Sequence, residues 1–166
     1  AMMLDELGML DKTQIVATDI NPYQLVEAKN GLYPLEKLEE GQRNYLTSGG
    51  QRDMQDWLST DKGYLKIMPR LRKHLTFYSH SLSYDGSFNE FQLIICRNVL
   101  IYFYPALQQR VMELFATSLH HEGFLMLGPS ESINAGKGEE LFTTYAKAEK
   151  VFRLRHQNTS KVQPDA

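Results

Sequence analysis

Apolar runs alternate with helical patterns along the chain. Four runs rich in apolar and β-branched residues predict strands: "TQIVATDI", "LTFYSHSL", "FQLIICRN" and "GFLMLGPSE". A fifth strand is predicted from about Lys150 to Arg155, within "YAKAEKVFRLR". The run "FQLIICRN" is continuously apolar, which is typical of a strand that is buried on both faces.

Two segments carry the signals of capped helices. "NPYQLVEAKNG" has Asn21 as a cap, Pro22 in its first turn and Gly31 at its end. "PALQQRVMELFATSLHHEG" predicts a long helix from Pro105 to Gly123, because its apolar residues form one stripe. The alternation of strands and helices predicts an α/β fold with a mostly parallel sheet.

Residues 1–155 are predicted to form one domain, in which two segments depart from this alternation. Residues 39–75 contain "SGG", "DKG" and the basic run "KIMPRLRKHL" but no long helical stripe, so we predict an inserted subdomain of short strands and a helix. The opening "AMMLDELGM" has the pattern of the second half of an amphipathic helix, so the chain is expected to begin within an element. Residues 156–166 are polar and predict a disordered tail.

Composition and charge exclude several classes of function. With 18 Lys and Arg against 20 Asp and Glu, the net charge of −2 argues against a nucleic-acid partner. Cys96 is the single cysteine, so no disulfide forms within the chain and the cytoplasm is the expected location. The longest apolar run, residues 99–103, is far too short to span a membrane, so we expect a soluble protein. Five histidines show no metal-ligand spacing with Cys96: His74, His80, His120, His121 and His156.

Asp19 lies where the first predicted strand ends, just before Ile20 and the helix cap Asn21. In open α/β sheets ligands bind beyond the carboxyl ends of strands, where an acid accepts hydrogen bonds from both hydroxyls of a ribose. Alternatively, Asp19 only terminates the strand while Asn21 caps the next helix. The residues of this stretch alone favour the second interpretation.

The strongest concentration of polar groups follows the third predicted strand. "IICRNVLIYF" runs from an apolar strand into Arg97 and Asn98, with Tyr102 four residues further on. A parallel sheet would bring a guanidinium, a carboxamide and a phenol to one edge. Arg97 alone fits a structural ion pair as well as a ligand contact, and Tyr102 alone is typical of a packed aromatic. Together they favour a functional site, because charge within an apolar run is costly unless it is paired or used.

Three motifs resemble the chemotaxis receptor methyltransferase (CheR) family: "ATDIN", "CRNVLIYF" and "GPSES", each at the end of a predicted strand. The resemblance extends from about residue 1 to residue 155, and "AKNGLYPLEKL" adds to it. It implies a doubly wound, Rossmann-like sheet of the class I methyltransferase type with a small inserted β-subdomain. It also implies binding of S-adenosylmethionine, release of S-adenosylhomocysteine, and methylation of glutamate side chains of chemoreceptors to γ-methyl esters.

The same resemblance implies roles for particular residues. Asp19 and Ile20 would bind the cofactor, with Asp19 on the ribose hydroxyls. Ser81 and Leu82 would lie beside the adenine, at positions where the family more often has Asn-Leu. The remaining implied site residues follow the third predicted strand: Arg97 and Asn98 in the cofactor pocket and Arg97 and Tyr102 in catalysis. The attack by a carboxylate that is already ionised at pH 7 needs no strong base.

The family's glycine-containing cofactor loop and its helical N-terminal domain do not appear in the sequence. We therefore expect a truncated domain that lacks the first strand of the sheet, is inactive alone and can self-associate. Chemoreceptor cytoplasmic regions or other signalling proteins are the expected partners. The alternative function is a non-catalytic, methyltransferase-like binding or adaptor module in a signalling pathway.

Overall fold

The computed structural model of the chain describes residues 1–133 and 137–155. Two compact units make up the chain, one formed by residues 1–81 and one that begins at residue 82. The predicted tail, residues 156–166, and His156 within it lie outside the described residues. In the part of the chain that is described, no helix has the length and apolar character needed to cross a bilayer.

The first unit contains four α-helices and five strands among residues 1–81. The helices are α1 (Met2–Glu6), α2 (Pro22–Asn30), α3 (Leu38–Thr47) and α4 (Pro69–Arg72), and the strands are β1 (Ile15–Asp19), β2 (Leu32–Pro34), β3 (Leu58–Asp61), β4 (Tyr64–Ile67) and β5 (Leu75–Ser79). Strands β1 and β5 form a parallel pair, and β2, β4 and β3 form an antiparallel sheet in that order.

The predicted first strand and first helix are confirmed by β1 and α2. The side chain of Asn21 accepts a hydrogen bond from the backbone N–H of Tyr23, and Pro22 opens the helix. Gly31 ends it with φ of +61°, a left-handed conformation that glycine adopts without steric cost. The pairing of β1 with β5 places Asp19 opposite Ser79, so both carboxyl ends lie at one edge.

The antiparallel sheet begins at Leu32, before the segment 39–75 in which short strands were predicted. Strands β3 and β4 are joined by a tight turn in which Lys62 and Gly63 both have positive φ, the geometry that suits the twist of a hairpin. The sequence "LYP" of β2 is too short to predict a strand locally, and it forms one because it pairs with residues 64–66 of β4.

The core of the first unit combines apolar packing with buried polar bonds. Trp57 is fully buried, and its indole N–H donates to Asp5 Oδ2 at 2.6 Å while the Arg52 guanidinium lies 4.7 Å from the ring centre. The hydroxyl of Tyr45 donates a hydrogen bond to Glu6. Burial is the larger cause and this bond the second cause that raise the pKa of Tyr45 to about 12. Two acids of α1 therefore connect this helix to the aromatic core. The buried apolar residues of this core are Leu10, Tyr45, Trp57 and Leu71.

The second unit contains a four-stranded mixed sheet in the order β6–β7–β9–β8. Its elements are β6 (Phe91–Cys96), α5 (Pro105–Ser118), β7 (Leu119–Leu127), α6 (Gly138–Leu141), β8 (Phe142–Ala146) and β9 (Val151–Leu154). Strands β6 and β7 are parallel, whereas β9 is antiparallel to both β7 and β8. The α/β class is therefore confirmed, although β8 was not predicted.

The prediction that the long helix continues to Gly123 is wrong. Helix α5 ends at Ser118, and Leu119 is already extended, with φ of −98° and ψ of 139°. From Leu119 onward burial follows a strand pattern, and Gly123, Leu125 and Leu127 are buried on alternate positions. Gly123 is needed for close packing within the strand, since a Cβ there would lie 2.8 Å from the carbonyl oxygen of His120.

Strand β6 is covered on one face only, contrary to the prediction of burial on both. Cys96 is buried in the core of the second unit and Ile94 packs against it. Leu93 and Ile95 on the other face are 50% and 61% exposed. Among the described residues β6 pairs only with β7, and β1 pairs only with β5, so each of these parallel strands has one open edge.

We predict that the bond between Asp5 and Trp57 supports the fold of the first unit. Asp5→Ala leaves the buried indole N–H without its acceptor, which should lower the free energy of unfolding by about 1–3 kcal/mol. Trp57 is the single tryptophan, so urea unfolding followed by its fluorescence measures this change directly. The control is Glu27→Ala at an exposed position of α2; equal stability of the two variants would contradict the prediction.

Candidate functional site

The carboxyl ends of β6 and β7 meet at one edge of the second unit's sheet. Cys96 is in register with Leu127, so the residues that follow them, Arg97 and Gly128, leave the sheet side by side. The turn after β6 contains Arg97 and Asn98 and ends in a short 3₁₀ helix at Leu100–Tyr102. The structure therefore brings three of the predicted site residues into one segment of six residues, at the edge where α/β sheets bind ligands.

A buried carboxylate holds this turn from the β7 side. Glu131 is only 4% exposed. Its Oε1 accepts hydrogen bonds from the N–H groups of Val99 and Leu100 at 2.8 and 2.7 Å, and its Oε2 accepts from those of Asn98 and Gly128 at 2.9 and 2.7 Å. Four backbone donors thus converge on one side chain, an arrangement that stabilises a carboxylate in its charged form.

The charge of Glu131 is stabilised by backbone amides and not by an ion pair. In residues 1–133 and 137–155 no basic side chain forms a salt bridge with its carboxylate; Lys150 Nζ instead binds its backbone oxygen at 3.1 Å. Burial alone would raise the pKa of Glu131, but the bonds from Gly128, Asn98, Val99 and Leu100 outweigh it and lower this pKa. Glu131 is therefore ionised at neutral pH.

The carbonyl groups of the same turn are bound from helix α5. Gln108 Nε2 donates to the backbone oxygens of Leu100 and Phe103, both at 2.9 Å. Asn98 adopts φ of +58°, a left-handed conformation that is uncommon for residues other than glycine. Because its N–H is fixed by Glu131 and the following residues are held on both sides, the turn maintains this conformation.

Gly128 allows the two strand ends to approach closely. A Cβ at this position would lie 2.7 Å from both Asn98 Oδ1 and Glu131 Oε2, which is closer than real Cβ contacts. Glycine is therefore required here for lack of space, and any side chain would push apart the turn after β6 and the turn after β7.

The turn presents its functional groups outward. Tyr102 is 80% exposed, so it is not the packed aromatic that the residue alone would suggest. Arg97 is exposed as well, and within the described part of the chain it forms no ion pair. Asn98 is also exposed. Within the described residues, Arg97 thus lacks the ion pair and Tyr102 lacks the core packing that a purely structural role would require.

Asp19, Ile20 and Ser81 belong to the first unit. Asp19 is exposed at the end of β1, and its Oδ1 accepts a hydrogen bond from the N–H of Asn21 at 2.7 Å. Its backbone oxygen accepts from His80 N–H at 3.2 Å, which holds the residue before Ser81 at the same edge. Asp19 therefore does support the turn into α2, as the structural interpretation expects. This bond uses Oδ1, and the exposed carboxylate has a second oxygen with which to bind a ligand.

Ser81 and Leu82 are half-buried neighbours that fall on opposite sides of the boundary between the units. Leu82 packs against the apolar core of the second unit, so its side chain contributes to the fold. The side chain of Ile20, in contrast, is exposed and presents an apolar surface next to Asp19.

Glu131 is the site residue that sequence reasoning missed. The motif "GPSE" gave two usable signals, a glycine directly after an apolar strand and an acid three residues later. Neither signal reveals that the acid folds back to bind amides that lie more than thirty positions earlier, since that contact depends on the parallel pairing of β6 with β7. Cys96 is close to this carboxylate. The pKa of the Cys96 thiol is raised to about 12, mainly by burial and secondly by the negative charge of Glu131.

Comparison with known proteins agrees with the motifs. Residues 1–151 match the sequence model of the family described as CheR methyltransferase, SAM binding domain. Cher3 of Pseudomonas putida, which is named as a methyltransferase, is 42% identical over 153 residues, covering 92% of this chain and 56% of that protein.

Two further relatives are each named chemotaxis protein methyltransferase. The one from Vibrio anguillarum is 34% identical over 127 residues, which is 76% of this chain and 44% of the relative. The one from Listeria monocytogenes is 34% identical over 137 residues, which is 80% of this chain and 48% of the relative. The chain spans about half the length of the curated relatives it matches.

The cofactor of this family is S-adenosylmethionine. The order of the motifs at the strand ends and the match over residues 1–151 agree on the same family. The chain belongs to the CheR methyltransferase family and carries that family's S-adenosylmethionine-binding domain.

Proposed function

We propose that this chain is the cofactor-binding part of a longer methyltransferase that forms γ-methyl esters on glutamate side chains of chemoreceptors. The observation that carries the proposal is the turn after β6, which exposes Arg97, Asn98 and Tyr102 while its backbone is held by a buried carboxylate. Exposed polar groups on a fixed backbone are suited to binding and orienting a ligand.

The residues at the strand ends fit the chemical groups of the cofactor. Asp19 has a carboxylate oxygen for the ribose hydroxyls, and Ile20 and Leu82 would provide apolar contacts near the adenine, with Ser81 beside them. Asn98 offers both a donor and an acceptor, and Arg97 a fixed positive charge, for the polar methionine end. These assignments rest on the resemblance by position and on the exposure of the side chains.

When bound, S-adenosylmethionine supplies a methyl group activated by the sulfonium. The task of this chain is to orient the acceptor and to hold it close to that group while water is excluded. The hydroxyl of Tyr102 would hydrogen-bond to the attacking carboxylate and fix its direction. No general base is needed, since a glutamate is already ionised at pH 7.

We further propose that the open edge of β6 receives a strand in the longer protein, as a doubly wound sheet requires. Two observations support this proposal. Within the described residues β6 lacks a partner at one edge, and its residues Leu93 and Ile95 expose an apolar face. Strands of parallel sheets are normally buried on both faces. The match covers about half the length of the relatives, which therefore have the additional residues that such a strand requires.

The proposed partners are cytoplasmic regions of chemoreceptors or other signalling proteins. The antiparallel sheet β2–β4–β3 supports this proposal, because Tyr33 and Tyr64 on its edge strand and central strand are about half exposed. Partly exposed tyrosines are common in protein interfaces.

The first prediction concerns cofactor affinity. In the whole methyltransferase, Asp19→Ala should weaken S-adenosylmethionine binding by about 1.5–3 kcal/mol, because a hydrogen bond to a charged group is lost. Asp19→Asn keeps an acceptor for the Asn21 N–H but removes the charge, so it separates turn stability from ligand binding. Calorimetric titration measures both, with Asp61→Ala as an exposed strand-end control. Unchanged affinity in both Asp19 variants would show that Asp19 only supports the turn.

The second prediction concerns the reaction step. Tyr102→Phe in the whole methyltransferase should lower the turnover rate with little change in cofactor affinity or melting temperature, because the hydroxyl is exposed in the free protein. Tyr104→Phe is the matched control, since Tyr104 is also exposed and lies two residues away. A Tyr102→Phe variant that methylates as fast as the Tyr104→Phe variant would exclude the proposed role.

The third prediction concerns the 166-residue chain alone. We expect it to self-associate and to bind S-adenosylmethionine weakly or not at all, because open strand edges recruit other chains. Light scattering measures association, and Ile95→Lys should reduce it by placing a charge on the exposed face of β6. Leu46→Lys, at an exposed site in α3, is the control. A monomeric chain with micromolar affinity for the cofactor would overturn this prediction.

A further inference from the structure

We propose that Glu131 is a positioning residue, whose carboxylate holds the turn after β6 in the conformation that presents Asn98 and Tyr102 to the cofactor and the acceptor. This inference rests on the proposed function of that turn. It assigns a role to the motif "GPSES", which the proposed chemistry does not otherwise use.

Burying the charge of Glu131 carries a cost in free energy. An ionised carboxylate with 4% exposure is unfavourable unless hydrogen bonds replace its water. Glu131 obtains all four of its observed carboxylate bonds from backbone N–H groups, three of which belong to the consecutive residues Asn98, Val99 and Leu100. The bonds thus act on the backbone of the turn, and the side chain of Asn98 stays exposed while those of Val99 and Leu100 pack in or against the core.

These bonds also fix the backbone conformation of the turn after β6. Asn98 has positive φ, a left-handed conformation that is uncommon for residues other than glycine, although asparagine adopts it more readily than most. The carboxylate bonds the N–H of Asn98 and the two that follow, so a change in the path of the turn breaks several bonds together. Gly128 leaves room for this arrangement, since a Cβ at that position would lie 2.7 Å from both Asn98 Oδ1 and Glu131 Oε2.

The turn held by Glu131 leads directly to Tyr102, the residue proposed to orient the acceptor. The segment from Asn98 to Tyr102 is continuous, and the 3₁₀ turn at Leu100–Tyr102 starts from an amide that Glu131 binds. An error of about 1 Å in the placement of a functional group reduces turnover by up to about a hundred-fold. A neutral side chain at position 131 cannot accept four N–H bonds, so it would release the turn while the strands on either side remain paired.

The test uses the whole methyltransferase and compares Glu131→Gln with Glu149→Gln, a change of the same type at an exposed position. Glu131→Gln should lower turnover by about ten- to a hundred-fold at temperatures well below its melting point, with a smaller effect on cofactor affinity. Glu131→Asp, which keeps the charge on a shorter side chain, should give an intermediate rate. Normal turnover in a folded Glu131→Gln variant, or in Glu131→Asp where the first variant does not fold, would overturn the inference.

A second readout does not depend on activity. In the wild-type protein, acid titration followed by NMR should shift the amide resonances of Asn98, Val99, Leu100 and Gly128 together, with one midpoint below that of an ordinary glutamate. The thiol of Cys96 lies close to Glu131, and because its pKa is raised to about 12 it stays protonated in this acid range. The Nζ of Lys150 contacts the backbone oxygen of Glu131 and not its carboxylate. Independent shifts of these amides would show that the carboxylate does not hold the turn.

The two readouts separate failure of the inference from failure of the proposed function. A wild-type protein that neither binds S-adenosylmethionine nor methylates glutamate overturns the proposed function, and with it the catalytic meaning of the turn. Concerted amide shifts combined with normal turnover in the Glu131 variants overturn the positioning role alone, since Glu131 would then support only the fold.

Discussion

A buried carboxylate that is stabilised by backbone amides determines the geometry of the candidate site. Glu131 joins the ends of two parallel strands, because its oxygens bind N–H groups that follow both β6 and β7. This arrangement resembles an anion site, except that the anion is part of the chain. It also couples the site to pH in a defined direction: the pKa of Glu131 is lowered in the fold. The stabilisation is therefore complete above the unfolded-state pKa and is lost as the pH falls through the folded-state pKa.

The open edges of β1 and β6 are the second constraint on the molecule. Backbone N–H and C=O groups at an edge need partners, and the apolar side chains Leu93 and Ile95 need cover. The proposed additional strand would meet both needs at the edge of β6, and the chain spans about half the length of the curated relatives it matches.

Local signals predicted the elements whose ends are marked in the sequence. The cap Asn21, Pro22 and the terminal Gly31 identified α2, and continuous apolar runs identified β1 and β6. The end of α5 was missed because the helical stripe continues into Leu119, whereas pairing with Phe91 of β6 makes that residue extended. Strand β8 was missed because it forms only through its antiparallel pairing with β9.

The sequence predicted the exposed residues of the candidate site but not the buried residue that holds them. Residue types after an apolar run predicted a site at Arg97, Asn98 and Tyr102, and the family resemblance added Asp19. The structure places each of them exposed at the carboxyl end of a strand or in the turn that follows it, while their roles in binding and catalysis stay predictions. The contact of Glu131 with the turn was not predictable, since it joins residues that are distant in sequence and needs the register of β6 and β7.

Amide NMR of the whole methyltransferase during cofactor titration tests the proposed site most directly. Addition of S-adenosylmethionine should perturb the amides at the carboxyl ends of the strands, those of Asp19 and Asn98 in particular. The amides of Ile15 and Leu75, at the opposite ends of β1 and β5, should remain unchanged. Binding that perturbs the opposite ends and leaves Asp19 and Asn98 unaffected would contradict the proposed site.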